Sequence, residues 1–591
     1  MKSPICVMFC LLCLAVQSQT LELTYSTYLG GSQDDRAHGI TCNANGNVYL
    51  TAPGGVFPLT ENAFQTQNTG MYAAVMNTKG QGLTFSTYLG VPGGSNYAHG
   101  VALDEDGNMH LVGNTTNPNF PTTEGVYDRT FHGPTNESHG DAFVMKLSPD
   151  GSQVIYSTFI GGSGMDIAGK IAVDSEGNAI IVGCTGSSDL PVTESAFDRT
   201  FHGGGEYGRE DVFVAKLNPD GSALVFCTYI GGNGTELYDG IAVDDAGSIY
   251  VYGTTTSTDF PVTDNALSAT YNGGSGEYGQ GDAYIVKLSS DGSVLEYGSY
   301  IGGSQDEAIK SIVMHEDGGI TLGGGTNSTD FPVTENAWQN QCKGMQDGFI
   351  LTLSPELNTI EYATYLGGSQ NDYLFICETN SQLILSGETE SDDFPVTSNA
   401  YQAEFKGNSD QIVAIVDPLS HDLIYSTYFG GSGYDWGQLC VSNDRIYLAG
   451  HTTSRDFPLT EDAYDTSYNG GGSNRWGGDV FVAAFKISNE SSTKTGVLPY
   501  QFNLGQNYPN PFNPSTTIPY SLQKAGSVYL SVFNSCGQQV QLLEDAYQTS
   551  GHYTRKWDGK DDSGNPVSSG IYLVQLAAHD QVLQKKMLLV R

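Results

Sequence analysis

One eleven-residue pattern recurs seven times along this chain, first as YSTYLGGSQDD at Tyr25–Asp35 and last as YSTYFGGSGYD at Tyr425–Asp435. Each copy is followed by two short apolar runs around a polar turn, which contains Gly in the first five copies, then by a proline-centred segment and a further apolar hairpin. Short apolar runs separated by such turns are typical of β-hairpins. Two hairpins supply four strands per repeat, and a series of such repeats predicts a β-propeller.

The best-formed copy contains VIYSTFIGG (Val154–Gly162), GKIAVDSEGNAIIVGCT (Gly169–Thr185) and DLPVTESAF (Asp189–Phe197). These three elements in this order resemble the SBBP-type β-propeller repeat, and the resemblance extends over residues 22–490. It implies a propeller fold and an extracellular setting, but little about chemistry.

Seven strands ending in Gly, six of them in GG, and seven proline-centred segments predict an all-β fold with seven four-stranded blades over residues 19–490. The first YSTYLGG strand precedes any blade, whereas the last blade lacks an outermost strand. We therefore predict that Thr24–Leu29 pairs with Val480–Phe485 and completes the seventh blade, which removes two free sheet edges. In antiparallel blades the GG entries and the proline-centred insertions share one rim, which is the predicted functional face.

The first set of candidate binding residues lies where the inner strand of each blade begins, close to the propeller axis. The residue there differs between blades: His38, His99, Gly169, Asp239, Lys310, Phe375 and Gln438. Variation over a fixed frame suits a ligand site, although solvent-facing positions without a function vary in the same way. The polar members of this set are the candidate ligand contacts: His38, His99, Asp239, Lys310 and Gln438.

The second set lies in the long Gly-rich insertions of blades three, four and seven. Tyr207, Tyr278 and Trp476 are its candidate members. Aromatic faces beside polar groups suit sugar rings or peptide segments. The alternative is that these glycine loops pack on themselves.

An acidic residue follows the GG pair by four positions in six of the seven blades. The six are Asp35, Asp166, Glu236, Glu307, Asp372 and Asp435, and blade two has Asn96 instead. These carboxylates could form a ring around the axis that binds Ca²⁺ or a cationic ligand. Because the position is so uniform, we favour a structural role in which each side chain accepts backbone hydrogen bonds at the same tight turn.

The charge balance restricts the partners of this protein. Lys and Arg number 25 against 65 Asp and Glu, a formal net charge of −40, so nucleic acid and anionic lipid are not expected to bind. Residues 1–18 combine Lys2 with a short apolar run and small residues at a cleavage position, which predicts a secretory signal peptide. No other stretch has the length of a transmembrane helix.

Seven cysteines follow the signal sequence, and none forms a CxxC pair: Cys42, Cys184, Cys227, Cys342, Cys377, Cys440 and Cys536. An odd number cannot pair fully, and most lie in apolar strand patterns. We expect them to be buried free thiols rather than zinc ligands.

A second domain follows a polar linker that begins with SNESSTKTG at Ser488–Gly496, and we place the linker proper at residues 491–503. Residues 504–591 alternate short strands with Gly, Pro and Asn, which predicts a small β-sandwich. The segments YPNPFNPSTTI (Tyr508–Ile518), WDGKDDSGNPVSSGIY (Trp557–Tyr572) and the basic end Lys585–Arg591 resemble the C-terminal sorting domain of type IX secretion cargo, which has a FlgD-like immunoglobulin fold. This resemblance implies export through the periplasm to the medium or the outer cell surface by the type IX machinery. A structural Ig-like domain without a sorting role is the alternative.

No nucleophile or acid–base pair stands out in the sequence. We therefore expect a monomeric, non-catalytic propeller without a cofactor, with calcium as an open alternative, that binds an extracellular glycan or protein. The competing hypothesis is a secreted hydrolase or polysaccharide lyase that uses the same cleft.

Overall fold

The structure is a computed structural model, and the residues it describes fall into many segments. These are 18–135, 139–203, 211–274, 281–418, 420–470, 475, 477–490, 503–505, 507, 510, 512–522, 526–535, 537–548, 551–578 and 581–590. Residues 1–17, Tyr207, Tyr278, Trp476, Cys536 and residues 491–502 of the predicted linker lie outside them. The chain divides into two compact units, Met1–Ser491 and Ser492–Arg591.

In the first unit the described residues form seven four-stranded antiparallel sheets and no helix. Sheet 1 contains β2 (Gly39–Cys42), β3 (Val48–Pro53), β4 (Met71–Met76) and β5 (Leu83–Leu89). Sheet 2 contains β6 (Asn96–Leu103), β7 (Met109–Thr115), β8 (Asp141–Leu147) and β9 (Val154–Ile160). Sheet 3 contains β10 (Asp166–Val173), β11 (Ala179–Thr185), β12 (Asp211–Leu217) and β13 (Leu224–Ile230). Sheet 4 contains β14 (Glu236–Val243), β15 (Ile249–Thr255), β16 (Asp282–Leu288) and β17 (Leu295–Ile301).

The remaining three sheets follow the same order. Sheet 5 contains β18 (Glu307–Met314), β19 (Ile320–Thr326), β20 (Asp347–Leu353) and β21 (Ile360–Leu366). Sheet 6 contains β22 (Asp372–Thr379), β23 (Gln382–Thr389), β24 (Asp410–Val416) and β25 (Leu423–Phe429). Sheet 7 contains β26 (Asp435–Ser442), β27 (Arg445–Thr452), β28 (Asp479–Glu490) and, from the N-terminus, β1 (Ser18–Leu29).

The predicted pairing of the first strand with the last strand of the repeat region is present. Tyr25 lies opposite Ala484 and Leu29 opposite Val480, so β1 is the outermost strand of sheet 7. The contact extends beyond the prediction, since Ser18 lies opposite Glu490. Ser488–Glu490, which their polar composition assigns to the linker, are therefore the end of β28, because β1 supplies the backbone partners that a linker lacks.

The apolar core of the first unit lies between neighbouring sheets rather than inside any one of them. Phe143 of sheet 2 packs in one cluster with Tyr49 and Met71 of sheet 1, and each later sheet shares a cluster with the next. One further cluster joins Val482 of sheet 7 to Leu50 of sheet 1. Every sheet therefore buries both of its faces. This explains why most of its strands are continuously apolar rather than alternating between apolar and polar residues.

The repeated YSTYLGG letters have repeated contacts. In the Tyr229 copy, the hydroxyl donates to the carbonyl of Ser187 at 2.7 Å, and Thr228 Oγ1 accepts from the Asp198 amide at 2.9 Å. The first aromatic of another copy, Tyr156, lies against Gly221, where φ is +69° and a Cβ would be 2.6 Å from the ring. These contacts attach the loops of a repeat to its outer strand. The Tyr, Thr and Tyr letters recur because most copies make the same contacts.

The second unit is a two-layer β-structure in its described residues. One sheet has the order β29 (Asn503–Leu504), β30 (Thr516–Leu522), β33 (Gly551–Trp557), and the other β32 (Gln539–Gln548), β31 (Gly526–Asn534), β34 (Gly570–Ala578), β35 (Gln581–Leu589). Both sheets contribute to one core, in which Trp557 is fully buried and packs on Tyr572 at a ring-centroid distance of 5.0 Å. Asn503, at the predicted end of the linker, already belongs to β29.

If β1 is part of the core of sheet 7, truncating one of its buried side chains should destabilise the first unit. Leu29 is fully buried against sheet 1, so Leu29→Ala should lower the free energy of unfolding by about 2–5 kcal/mol. Val225 on β13 is 46% exposed, and Val225→Ala should change it by less than about 0.5 kcal/mol. Equal losses in the two variants, measured by denaturant unfolding, would contradict this role for β1.

Candidate functional site

The variable positions predicted from the sequence lie on or next to the first strands of the sheets, and these strands lie side by side. The first strand of each sheet contacts that of the next, and β26 of sheet 7 contacts β2 of sheet 1. The variable residues are partly exposed on this shared surface, except Gly169, which is buried.

A β-bulge determines how several of these side chains are presented. In sheets 2 to 5 the pairing between first and second strand skips one residue, and the skipped residues are His99, Gly169, Asp239 and Lys310. Sheets 6 and 7 have no bulge there, so Phe375 lies opposite Ser386 and Gln438 opposite Ala449. A bulge re-aims one side chain without disturbing the rest of the ladder, and bulges are common beside functional sites.

Four of the five candidates on this surface contact one another in pairs. The rings of His38 and His99 stack with centroids 5.7 Å apart, and burial lowers the pKa of His38 to about 3, so it is neutral. Lys310 Nζ lies 2.6 Å from Asp239 Oδ1, which joins sheets 4 and 5 by an ion pair. Gln438 lies on β26 of sheet 7, opposite Ala449, and Tyr207, Tyr278 and Trp476 lie outside the described residues.

Two adjoining cavities open on this surface. One of about 320 Å³, the Lys310 pocket, is lined by His99, His139, Ile167, Cys184, Leu237, Tyr238, Asp239, Thr254, Ala308 and Lys310. One of about 260 Å³, the Arg475 pocket, is lined by Thr254, Asp306, Glu307, Ala308, Asn327, Gln346, Asn371, Tyr373, Glu388 and Arg475. The two cavities share Thr254 and Ala308, so they form one depression across sheets 2 to 7.

Arg475 closes the second cavity from the insertion of sheet 7. Its guanidinium nitrogens lie 2.8 Å from Glu388 Oε2 and 2.7 Å from Glu390 Oε1, both of sheet 6. Tyr373 donates its hydroxyl to Glu388 Oε2 at 2.9 Å, and Asn371 donates to Glu390 Oε2 at 2.8 Å. A guanidinium held by two carboxylates is a rigid donor array, because its planar fork fixes the positions of all its N–H groups.

The sequence analysis did not select Arg475, Glu388 or Tyr373 as candidate site residues. A comparison of equivalent positions in the repeats could have identified Glu388. Glu388 occupies a second-strand position that holds Cys184, Thr254 and Gly325 in the three preceding sheets. None of these three sheets has a carboxylate at this position. The carboxylate of sheet 6 therefore indicates a role that is specific to that sheet.

The repeated acidic residues are buried in their own sheet junctions. Asp166 is fully buried and accepts from Gly162 N–H at 2.8 Å, Thr185 Oγ1 at 2.5 Å and Ser187 Oγ at 2.8 Å. The expected backbone amide of the second glycine donates in all six cases. These residues do not present an exposed carboxylate ring, because every one of them is at most 2% exposed.

A second buried aspartate faces each of these acids across the junction between sheets, and the sequence analysis missed it. The pairs are Asp141–Asp166, Asp211–Glu236, Asp282–Glu307, Asp347–Asp372, Asp410–Asp435 and, between sheets 7 and 1, Asp479–Asp35. Asp141 Oδ1 and Asp166 Oδ2 both lie 2.9 Å from the point that a Cβ on Gly161 would occupy. The first glycine of GG is therefore required because two carboxyl groups fill the space of its side chain.

The remaining junction, between sheets 1 and 2, is an exception that supports this interpretation. Where the acid is replaced by Asn96, the position of the facing aspartate holds Gly70. Asn96 donates instead to the carbonyl oxygen of Thr69 at 2.8 Å. Both carboxyl groups are absent together, so the second acid is present only where the first one is. Among the described residues, no group of three or more His, Cys, Asp or Glu is placed to hold a metal ion.

Comparison with known proteins supports the two types of domain. The family model described as beta-propeller repeat (SBBP) matches residues 84–121 and 225–261, and the one described as FlgD Ig-like domain matches residues 513–581. No curated protein matches the chain. No helix in the part of the chain that the structure describes is long and apolar enough to cross a membrane.

Several solved structures resemble the chain at low identity. BamB from Moraxella catarrhalis is 10% identical with a TM-score of 0.33, covering 79% of this chain and all of that one (100%). The endosialidase of phage phi92 is 13% identical with a TM-score of 0.34, covering 90% and 80%. PorZ, a surface component of the type IX secretion system of Porphyromonas gingivalis, is 12% identical with a TM-score of 0.27, covering 95% and 75%. Such values do not identify a function for this chain.

The buried acid pairs make stability depend on pH. Burial, with a contribution from the facing carboxyl, raises the pKa of Asp435 from 3.8 to about 7, and burial raises that of Asp410 to about 6. A raised folded-state pKa means that the folded protein binds the proton more tightly, so this contribution is full below about pH 4 and is lost as the pH rises to about 7. Asp410→Asn should therefore weaken the decline in unfolding temperature between pH 4 and 7.

The exposed Glu461→Gln variant is the matched control and should follow the wild-type pH profile. Melting temperatures of the three proteins at half-unit pH intervals provide the measurement. An Asp410→Asn profile parallel to that of the wild type would show that the pair does not titrate in this range.

Proposed function

We propose that this protein is a non-catalytic, exported propeller that binds an extracellular glycan in the Arg475 pocket. The observation that carries the proposal is the lining of that cavity, in which amide, carboxylate and guanidinium groups converge around Tyr373. Sugar hydroxyls both donate and accept hydrogen bonds, and a pocket with fixed donors and acceptors beside an aromatic ring suits them.

The architecture that holds this pocket is inferred to be a closed seven-bladed ring. Support comes from three contacts between sheets 7 and 1: the shared apolar cluster around Val482 and Leu50, the adjacent strands β26 and β2, and the Asp479–Asp35 pair. Each has a counterpart between consecutive sheets elsewhere. In a closed ring the variable residues of the first strands surround one axis.

A neutral or cationic sugar polymer fits the pocket better than an acidic one. Asp306, Glu307 and Glu388 line it against the single guanidinium of Arg475, which Glu388 and Glu390 already engage. The net charge of −40 adds a repulsive field for polyanions. The rival function, a hydrolase or polysaccharide lyase, would use the same cavity and would release products.

Export is also proposed rather than observed. Support comes from the predicted signal peptide, residues 1–18, and from the FlgD Ig-like match at residues 513–581 in the segment that resembles type IX sorting domains. The β-structure of the second unit has a core of its own, centred on Trp557, and this suits a module that is recognised independently. We propose that residues 504–591 direct the propeller through the periplasm to the outer surface or the medium.

Binding can be tested by changing the pocket without changing the fold. Arg475→Lys keeps the charge but loses the planar fork, and Tyr373→Ala removes the ring. Each should weaken binding of a glycan selected from an array by about tenfold or more, equal to about 1.4 kcal/mol. Tyr547→Ala is the matched control, because Tyr547 is 74% exposed in the second unit. Calorimetric titration measures the affinities, and chromatography of the bound glycan detects cleavage.

Two results would contradict the proposal. If Arg475→Lys and Tyr373→Ala bind as tightly as the wild type while the array ligand is retained, the ligand binds elsewhere. If the glycan is cleaved by the wild type and not by the variants, the pocket is catalytic and the rival function is correct.

Removal of residues 497–591 tests the export proposal. The truncated protein should remain folded and soluble, since the two units have separate cores, and it should accumulate in the periplasm of a host with type IX machinery. The control is a fusion of residues 497–591 to an unrelated periplasmic protein, which should reach the surface or the medium. Normal surface levels of the truncated protein would show that this segment is not the sorting signal.

A further inference from the structure

Two thiols from opposite ends of the repeat region meet where sheet 7 contacts sheet 1. Cys42 is the last residue of β2, the first strand of sheet 1, and Cys440 lies on β26, the first strand of sheet 7. These strands contact each other, and both cysteines pack against the apolar cluster that joins the two sheets. Tyr25 and Tyr447 belong to this same cluster, so both thiols lie in one apolar environment, and burial raises the pKa of the Cys440 thiol.

Hydrogen bonds of Asn443 connect the segments that follow these two strands. Asn443, in the hairpin that follows Cys440, donates its side-chain amide to the carbonyl of Ala44 at 3.0 Å, just after Cys42. The same Asn443 accepts from Thr379 Oγ1 of sheet 6 at 2.6 Å. Two cysteines can be bridged without backbone movement only when their strands already lie side by side. The hydrogen bond to Ala44 joins the two segments two residues after Cys42 and three residues after Cys440.

We propose that Cys42 and Cys440 form a disulfide that covalently joins the first and last sheets of the propeller. In this step the two thiols lose two protons and two electrons and form one S–S bond. A disulfide oxidant, such as oxidised glutathione or an oxidised dithiol protein, accepts the electrons and is reduced to two thiols. The bridge lies beside the β1–β28 pairing, so the ring would be closed by both a backbone ladder and a covalent bond.

This assignment departs from the expectation that all the cysteines are free. Sequence spacing could not find the pair, because nearly the whole repeat region separates the two residues. A third thiol, Cys377, lies on β22 of sheet 6, which contacts β26, and it is the competing partner. Cys184, Cys227 and Cys342 lie in other sheets or loops, and in this structure none of the six described cysteines, Cys42 and Cys440 included, is in a disulfide.

The consequence is a redox-dependent stability of the ring. A crosslink between residues far apart in sequence restricts the unfolded chain more than a short one does. Oxidation should therefore raise the melting temperature of the first unit, by roughly 5–10 °C for a long closed loop. Reduction would leave the strand pairing and apolar contacts as the only closure.

The test uses the full chain, unfolded and refolded in a buffer of oxidised and reduced glutathione, because the folded thiols are partly buried. Remaining thiols are alkylated, and the protein is digested with trypsin without reduction. Cleavage after Arg36, Lys79, Lys406 and Arg445 separates the peptides 37–79 and 407–445, which carry Cys42 and Cys440. The expected result is one species with the mass of both peptides less two hydrogens.

Cys377 is reported separately, since it falls on peptide 344–406. A Cys42–Cys377 or Cys377–Cys440 species in place of the expected one would overturn the proposal, as would full alkylation of Cys42 and Cys440. The rise in melting temperature should disappear in Cys42→Ser and Cys440→Ser and persist in Cys342→Ser, whose residue lies in a loop. If a serine variant fails to fold, the peptide map of the wild type still decides between these outcomes.

Discussion

A buried carboxyl group at the entry to the first strand is the contact around which six of the seven repeats are organised. It accepts the amide of the second glycine in six sheets, and in five of them a Thr-x-Ser segment of the second strand follows within reach, as at Thr185 and Ser187 around Asp166. A charged group without water is costly unless its hydrogen bonds are satisfied. The first glycine and the facing aspartate meet at this group in all six cases, so a side chain at the glycine would contact both carboxyl groups.

This rigid junction explains why neighbouring positions are able to vary. Three residues after the acid, a bulge in sheets 2 to 5 releases one side chain from the strand ladder, and the residue there ranges from Lys310 to Gly169. The ladder resumes at the next residue, so the fold does not depend on which side chain is presented. The Arg475 pocket forms on the same surface, where the insertion of sheet 7 reaches Glu388 and Glu390 of sheet 6. The side chain presented on this surface can therefore change without a change in the junctions.

Sequence reasoning predicted what repeats or alternates, and it missed what depends on contacts between repeats. Strand counting was enough to predict the β1–β28 pairing, because an extra strand at one end matches a missing strand at the other. It could not predict the bulges, which are a property of hairpin pairing, or the ion pairs of Arg475, which join residues of different sheets. The sequence shows the facing aspartates, which begin the DVFVAKL-type strands. It does not show which acid each of them faces, because the two residues of a pair belong to different sheets.

The junction between sheets 7 and 1 connects closure to the candidate site. β28, which pairs with β1, begins at Asp479, and Asp479 faces Asp35 across this junction. Arg475 lies only four residues before Asp479, in the insertion that leads into β28. A change that loosens β1 therefore removes support from β28 and from the base of that insertion, whereas a change on an outer strand of sheet 3 does not touch it. The β1–β28 pairing and the geometry of the Arg475 pocket consequently depend on the same strand, and loss of one is expected to weaken the other.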